Sequence, residues 1–246
     1  MAEARANAPF PAHRTVFLVG ASSGIGRELA GHLVRDGHRV ALCARRADRL
    51  EALRAELAGA GAAVTARPAD VTDPAALERA LAAAEGDLGP FDTLIYSAGA
   101  ARFASVEATT DAVWREMMSA NLDGLFHAVR AILPRFRERR RGHIVAVLSM
   151  ASRHAYGGSS AYTAAKYGAL GFIESLRAEV RKAGLHVTAV LPGATDTPIW
   201  DAIGPDWNRE KMMRPEQVAR VIASILRDTT SGMVEEVRVM PAGGAL

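Results

Sequence analysis

Tyr162 and Lys166 stand four residues apart in Tyr162-Thr-Ala-Ala-Lys166. If residues 160–183 form a helix, that step puts both side chains on one face, one turn apart, where they can meet a common ligand. The pair suits proton chemistry. A free phenol titrates near about pH 10, and a neighbouring ammonium favours the phenolate, bringing the group closer to working pH as an acid or base. Ser149 lies thirteen residues before Tyr162 and ends the apolar run His143-Ile-Val-Ala-Val-Leu148, which reads as a buried strand. A hydroxyl at the C-terminal end of such a strand faces the crevice where open α/β sheets bind ligands. Each piece alone is common: Tyr-x-x-x-Lys occurs on solvated helix faces, and a serine after a strand is usually a turn residue.

A second group of residues points to a phosphate. Gly20-Ala-Ser22-Ser23-Gly24-Ile25-Gly26 follows the strand-like Thr15-Val-Phe-Leu-Val19 and precedes a helical pattern. Glycines let the backbone turn tightly and approach a ligand, while a helix N-terminus offers free N–H groups and positive dipole to a pyrophosphate. The spacing is GxxxGxG rather than GxGxxG. Its place after the first strand of a βαβ unit makes it more than a turn.

These residues need a frame, and the chain supplies a repeating one. After the first strand and a helix to about Arg35, strands are expected at 39–43, 63–67, 92–96, 143–148, 186–191 and 235–240. Between them helical patterns cover 47–57, 73–85, 111–137, 160–183 and 214–227, with Asp73-Pro74 as an N-cap and first helical residue, and Gly184 as a stop. Alternating βα units with near-continuous apolar strands predict an α/β protein: a single-domain Rossmann-type doubly wound sheet of about seven mostly parallel strands with helices on both faces. The domain is expected over 14–246, after a loose tail at 1–13.

Composition narrows the function classes. The 246 residues are 49% hydrophobic with a formal net charge of +3, which suits one buried core and gives no nucleic-acid signature. The basic run Arg135-Phe-Arg-Glu-Arg-Arg-Arg141 falls where a helix should end and reads as a solvated terminus. Cys43 is the only cysteine, which excludes an intrachain disulfide and zinc sites built on several thiolates. No metal site, signal peptide or membrane span is expected, and a cytoplasmic location fits.

Taken together, the motifs resemble the short-chain dehydrogenase/reductase family over nearly the whole chain after the tail. The family's glycine motif matches Gly20, Gly24 and Gly26, and its Ser, Tyr and Lys match Ser149, Tyr162 and Lys166. Asn121, in Asn121-Leu-Asp-Gly124, matches the helix asparagine that completes the family's catalytic tetrad. Asp70-Val71 resembles the pair that contacts adenine, and Pro192-Gly193-Ala-Thr195-Asp-Thr197 resembles the segment that closes over nicotinamide. Two positions depart from the pattern: Val19 replaces the usual Thr, and Tyr96-Ser97-Ala98-Gly99 replaces Asn-Asn-Ala-Gly. In the family those polar groups tie the first and fourth strands together, so a compensating packing change is expected here.

The resemblance implies reversible hydride transfer between a nicotinamide cofactor and a carbonyl or secondary alcohol. It implies Tyr162 as proton donor, Ser149 on the carbonyl oxygen, Lys166 on the nicotinamide ribose and Asn121 anchoring a relay water. Cofactor contacts are expected from Gly20, Ser22, Ser23, Gly24, Ile25, Gly26, Arg45, Arg46, Asp70, Val71, Ser97, Ala98, Gly99, Tyr162, Lys166, Pro192, Gly193, Thr195 and Thr197. NADP(H) is expected over NAD(H). The acid that accepts from the ribose 2′-OH in NAD-dependent folds is replaced by Ala44, and Arg45 follows where NADP-dependent relatives place a basic residue. The competing reading is a catalytically silent dinucleotide-binding regulatory or scaffold protein.

The segment 194–213, with Ile199, Trp200, Ile203, Trp207, Met212 and Met213, reads as a substrate lid or a packing flap. His154, Tyr156 and Phe103 are weaker candidates for the pocket. A homotetramer or homodimer is implied by the resemblance. The helices 111–137 and 160–183 would pair with copies through Ala164, Ala165, Gly168, Ala169 and Gly171.

Overall fold

Seven short strands, apolar and buried at the centre and more polar at the two edges, assemble into one parallel sheet. The computed structural model describes residues 10–59, 61–204, 207–227 and 232–244. The strands are β1 (Thr15–Val19), β2 (Arg39–Ala44), β3 (Val64–Pro68), β4 (Thr93–Tyr96), β5 (Gly142–Val147), β6 (Leu185–Pro192) and β7 (Glu236–Val239), in the order β3-β2-β1-β4-β5-β6-β7. All pairings are parallel. Every residue of β1, β4 and β5 is buried, as strands covered by helices on both faces must be.

The helices are α1 (Gly24–Arg35), α2 (Ala47–Ala58), α3 (Pro74–Leu88), α4 (Asp111–Met118), α5 (Gly124–Arg139), α6 (Ser160–Val180) and α7 (Pro215–Arg227). One core lies between the sheet and α3, α5 and α6, the other between the sheet and α1, α2 and α7. Asp73 caps α3 by accepting from Ala75 N and Ala76 N, ahead of Pro74. Such a cap stabilises by about 1 kcal/mol. Gly184, at φ +77°, stops the helical run that continues α6 through Arg181–Ala183.

Three expectations change. The predicted helix 111–137 is two helices joined by a π turn at Ser119–Asp123. The predicted loose tail does not extend to residue 13: Phe10 is 6% exposed, with the Arg14 guanidinium 4.2 Å from its ring centroid and the His186 ring 5.0 Å away. The part of the tail before Phe10 lies outside the described residues. Ala165 and Ala169 are fully buried in the chain's own core, so they are not free to pack on a second copy, while nothing stands within 4 Å of where a Cβ at Gly171 would lie.

The basic run is absorbed by ion pairs. Arg135 joins Glu78 and Glu85, Arg139 joins Glu85, and Arg141 joins Asp92. Among the described residues no helix is long and apolar enough to cross a membrane.

Candidate active site

Because every strand points the same way, the loops after β1, β2, β4, β5 and β6 open on one edge of the sheet. The strand order reverses between β1 and β4, which is where open α/β sheets leave a crevice. A cleft of ≈ 570 Å³ occupies that edge. Every expected site residue lines it except Gly26 and Asn121, which sit directly behind its wall.

At one end the glycine turn makes the floor. Gly20 has φ +89°, and a Cβ there would come within 2.5 Å of Ala98 N, so only glycine lets the β1 and β4 turns touch. Ser97 N donates to Val19 O, so a backbone bond carries the β1–β4 pairing one residue past the end of β4. A Cβ at Gly26 would lie 2.3 Å from Gly20 O, which fixes α1 close against the turn. Ser23 caps α1 without a side-chain bond, leaving the helix N-terminus and its positive dipole facing the cleft.

The cations beside this turn are arranged differently from expectation. Arg45 is 74% exposed and reaches only Asp70, at 4.0 Å. Arg46 lies over the turn, donating to Ser22 Oγ and Ser23 Oγ at 2.8 Å each. A guanidinium and two hydroxyls converge on the end of β2 where an acid would otherwise stand and Ala44 does. These groups fit a 2′-phosphorylated dinucleotide.

The other end holds Ser149, Tyr162 and Lys166. Ser149 follows β5 and caps the short helical turn at Met150–Ser152, its Oγ accepting from Ala151 N at 3.0 Å. Tyr162 and Lys166 project from the first turns of α6, with Lys166 Nζ 5.6 Å from the Tyr162 ring centroid. Burial pushes the Tyr162 phenol above its ordinary value, opposed by a hydrogen bond with Ser149. Burial pulls the Lys166 ammonium down to about 8. The expected lowering of the phenol by Lys166 is not found here: desolvation raises it, and the opposing influence is the bond with Ser149.

Asn121, 1% exposed, lies in the π turn. Its Nδ2 donates to Ala100 O at 2.9 Å and Met117 O at 3.0 Å, and its Oδ1 accepts from Ala100 N at 3.3 Å. A Cβ on Gly99 would be 2.8 Å from Asn121 Oδ1 and 3.5 Å from Lys166 Nζ, so Gly99 is the thin partition between them.

The 194–213 segment is split between cleft wall and buried residues. Ile199, Trp200, Ile203 and Trp207 line the cleft, whereas Met212 and Met213 are buried away from it, Met213 within the core beside α7. Phe103 links the 194–213 segment to Tyr162: its ring is 6.0 Å from Tyr162, 6.3 Å from Trp200 and 6.0 Å from Trp207. Arg209 clasps the segment by donating to Asp196 Oδ1 at 2.5 Å and Asp201 Oδ1 at 2.6 Å. Tyr156 reaches the cleft and His154 does not line it. Sequence reasoning missed Arg102, whose guanidinium pairs with Glu116 and donates to Ala202 O of the lid at 3.4 Å. Nothing in the local sequence around Arg102 marks it. Among the described residues no three His, Cys, Asp or Glu side chains cluster as a metal site.

Fold and cleft together define a dinucleotide-binding α/β protein with Ser, Tyr and Lys gathered at one end of its crevice. The sequence matches the family described as short chain dehydrogenase over residues 14–208. The chain belongs to the short-chain dehydrogenase/reductase family of oxidoreductases. It is 34% identical over 239 residues to the glycine betaine reductase ATRR of Emericella nidulans, a match covering 93% of this chain but 19% of that protein. It is 30% identical to a sepiapterin reductase of Chlorobaculum tepidum, over 93% of this chain and 96% of the relative. Among solved structures it is similar to an alcohol dehydrogenase from the archaeon Thermococcus sibiricus complexed with 5-hydroxy-NADP. The TM-score is 0.87 and the identity 26%, covering 94% of this chain and 97% of that one.

Proposed function

We propose that this protein transfers hydride between NADP(H) and a carbonyl or secondary alcohol bearing an apolar group, with Tyr162 as general acid and base. The observation that carries the reading is the convergence of Ser149, Tyr162 and Lys166 on one cleft whose far end is the glycine turn. The nicotinamide supplies and accepts the hydride. The chain's own groups do the rest. Tyr162 gives its proton to the carbonyl oxygen as negative charge develops there, and Ser149 Oγ–H donates to the same oxygen. Lys166 holds the nicotinamide ribose and offsets the charge left on the phenolate. Asn121, behind Gly99, keeps a route for proton resupply next to Lys166.

Recognition of the cofactor falls to the other end. The α1 N-terminus takes the pyrophosphate, and Arg46 with Ser22 takes the 2′-phosphate by charge-assisted bonds. Asp70 and Val71 flank the adenine, and Thr195 and Thr197 close over the nicotinamide. The NADP analogue in the similar alcohol dehydrogenase supports this assignment.

Phe103, Trp200 and Trp207 give the substrate end an aromatic wall beside Tyr162, which favours a substrate with a sizeable apolar part. Self-association is part of the same reading, with Trp114, Phe126 and Tyr167 exposed by 40–44% on α4, α5 and α6. A cytoplasmic enzyme fits this reading. The test is a screen of carbonyls and alcohols against NADPH and NADP. Turnover of bulky apolar ketones or aldehydes with NADPH is expected; binding of NADPH without turnover of any carbonyl would favour the silent binding protein.

A further inference from the structure

Tyr96 stands where the family pattern has an asparagine, and the structure gives it a distinct partner. It ends β4, is 1% exposed, and its hydroxyl donates to Ala120 O at 2.9 Å. Ala120 is the residue before Asn121 and lies inside the π turn. In an unbroken α-helix the Gly124 N–H would go to Ala120 O. Here it goes to Ser119 O instead, as the wider turn requires, and the Tyr96 phenol brings a donor to the carbonyl from the sheet.

Gly124 makes room for this bond. Its φ of −61° is ordinary, so its need for glycine is steric: a Cβ there would lie 2.4 Å from Tyr96 Oη and 2.7 Å from Val71 Cγ2. Burial pushes the phenol far above its ordinary value, so it stays a donor across the accessible pH range. The π turn in turn sets Asn121, whose amide reaches back to Met117 O and across to Ala100, with only Gly99 between it and Lys166.

We infer that Tyr96 is a positioning residue that pins the π turn to the sheet through Ala120 O and so holds Asn121 beside Lys166. The inference rests on the reading that Asn121 serves proton supply, and a double-mutant cycle separates the two. With the best carbonyl from the screen, kcat, KM for NADPH and amide hydrogen exchange over 119–124 are measured for the native chain, Tyr96→Phe, Asn121→Ala and the double variant.

Removing one buried hydroxyl that acts through Asn121 should lower kcat about ten-fold in the native background and less than about two-fold in the Asn121→Ala background. KM for NADPH should stay unchanged, and exchange at 119–124 should quicken. Gly124→Ala, which displaces the phenol from Ala120 O, should show the same pattern. If Asn121→Ala lowers kcat while Tyr96→Phe leaves it unchanged, or lowers it equally in both backgrounds, the positioning role is overturned and the Asn121 reading stands. If Asn121→Ala leaves kcat unchanged, both fall.

Discussion

Lys166 Nζ lies 5.6 Å from the centroid of the Tyr162 ring, and both side chains line the same end of the cleft. The phenol sits above its ordinary value and the ammonium is drawn down to about 8. The cleft thus holds a protonated phenol beside a cation drawn down to about 8.

That arrangement sets a pH dependence. kcat/KM for NADPH reports groups of the free enzyme. It should be level below pH about 8 and fall above it as Lys166 loses its proton. In Lys166→Met the break should vanish along with most of the activity. A profile in the native protein that stays flat to pH 9.5 would count against a titrating Lys166.

Cofactor preference tests the placement of the arginines. Arg46→Ala removes the guanidinium that meets Ser22 and Ser23, so NADPH affinity should fall by about ten-fold or more, the scale of a lost charge-assisted bond, with NADH little changed. Arg45→Ala should do less, because that side chain is 74% exposed and directed at Asp70. Ala44→Asp with Arg46→Ala should turn the preference toward NADH by adding repulsion. Calorimetric titration with both cofactors decides; equal losses from the two arginines would reject the distinction.

The Arg209 clasp on the proposed lid separates stability from binding. Asp196, Asp201 and Arg209 are all more than 40% exposed, and exposed ion pairs contribute about 0–1 kcal/mol. Arg209→Ala should therefore leave Tm almost unmoved while raising KM for the carbonyl several-fold. A large fall in Tm with KM unchanged would show that the clasp is structural.

Acid should weaken the fold from the opposite end of the sheet. His143 is fully buried between Arg14 and Thr188, and burial lowers its pKa well below 6.5, with Arg14 adding to the effect. His38 and His186 are also lowered by burial. The unfolded chain binds these protons first, so stability is full above pH 6.5 and declines as pH falls below it. Urea midpoints at several pH values should show this slope, reduced in His143→Asn. A midpoint unchanged from pH 7.5 to 5 would contradict it.

Most of this architecture was legible from residue pattern. β1 matches the residues 15–19 read as a strand, and the Asp73-Pro74 cap and the Gly184 stop stand where local chemistry puts them. What escaped depends on distant partners. The π turn at 119–123 is accompanied by Asn121 bonding to Ala100 and Tyr96 bonding to Ala120, contacts that no helical periodicity encodes. Arg46 rather than Arg45 meets the glycine turn because the chain direction after β2 sets which side chain faces it. Phe10 looked like tail until His143, His186 and Arg14 closed around it. Met212 and Met213 share the lid's composition but are buried away from the cleft.

On the proposed reading, copies would meet through the exposed Trp114, Phe126 and Tyr167 rather than through Ala165 and Ala169, which are buried. Light scattering at micromolar concentration should give a dimer or tetramer mass. Trp114→Glu with Tyr167→Glu should lower it. A monomer mass in the native protein would remove this part of the account.

The proton role of Tyr162 is the centre of the reading, and Tyr162→Phe removes the hydroxyl while keeping the ring that touches Phe103. NADPH consumption with the best carbonyl substrate and NADPH affinity by fluorescence titration are measured side by side on the native and variant proteins. The account predicts a fall in kcat of about 100-fold or more, the scale of general acid catalysis, with NADPH affinity within about two-fold of native. Turnover in Tyr162→Phe close to the native rate would contradict it.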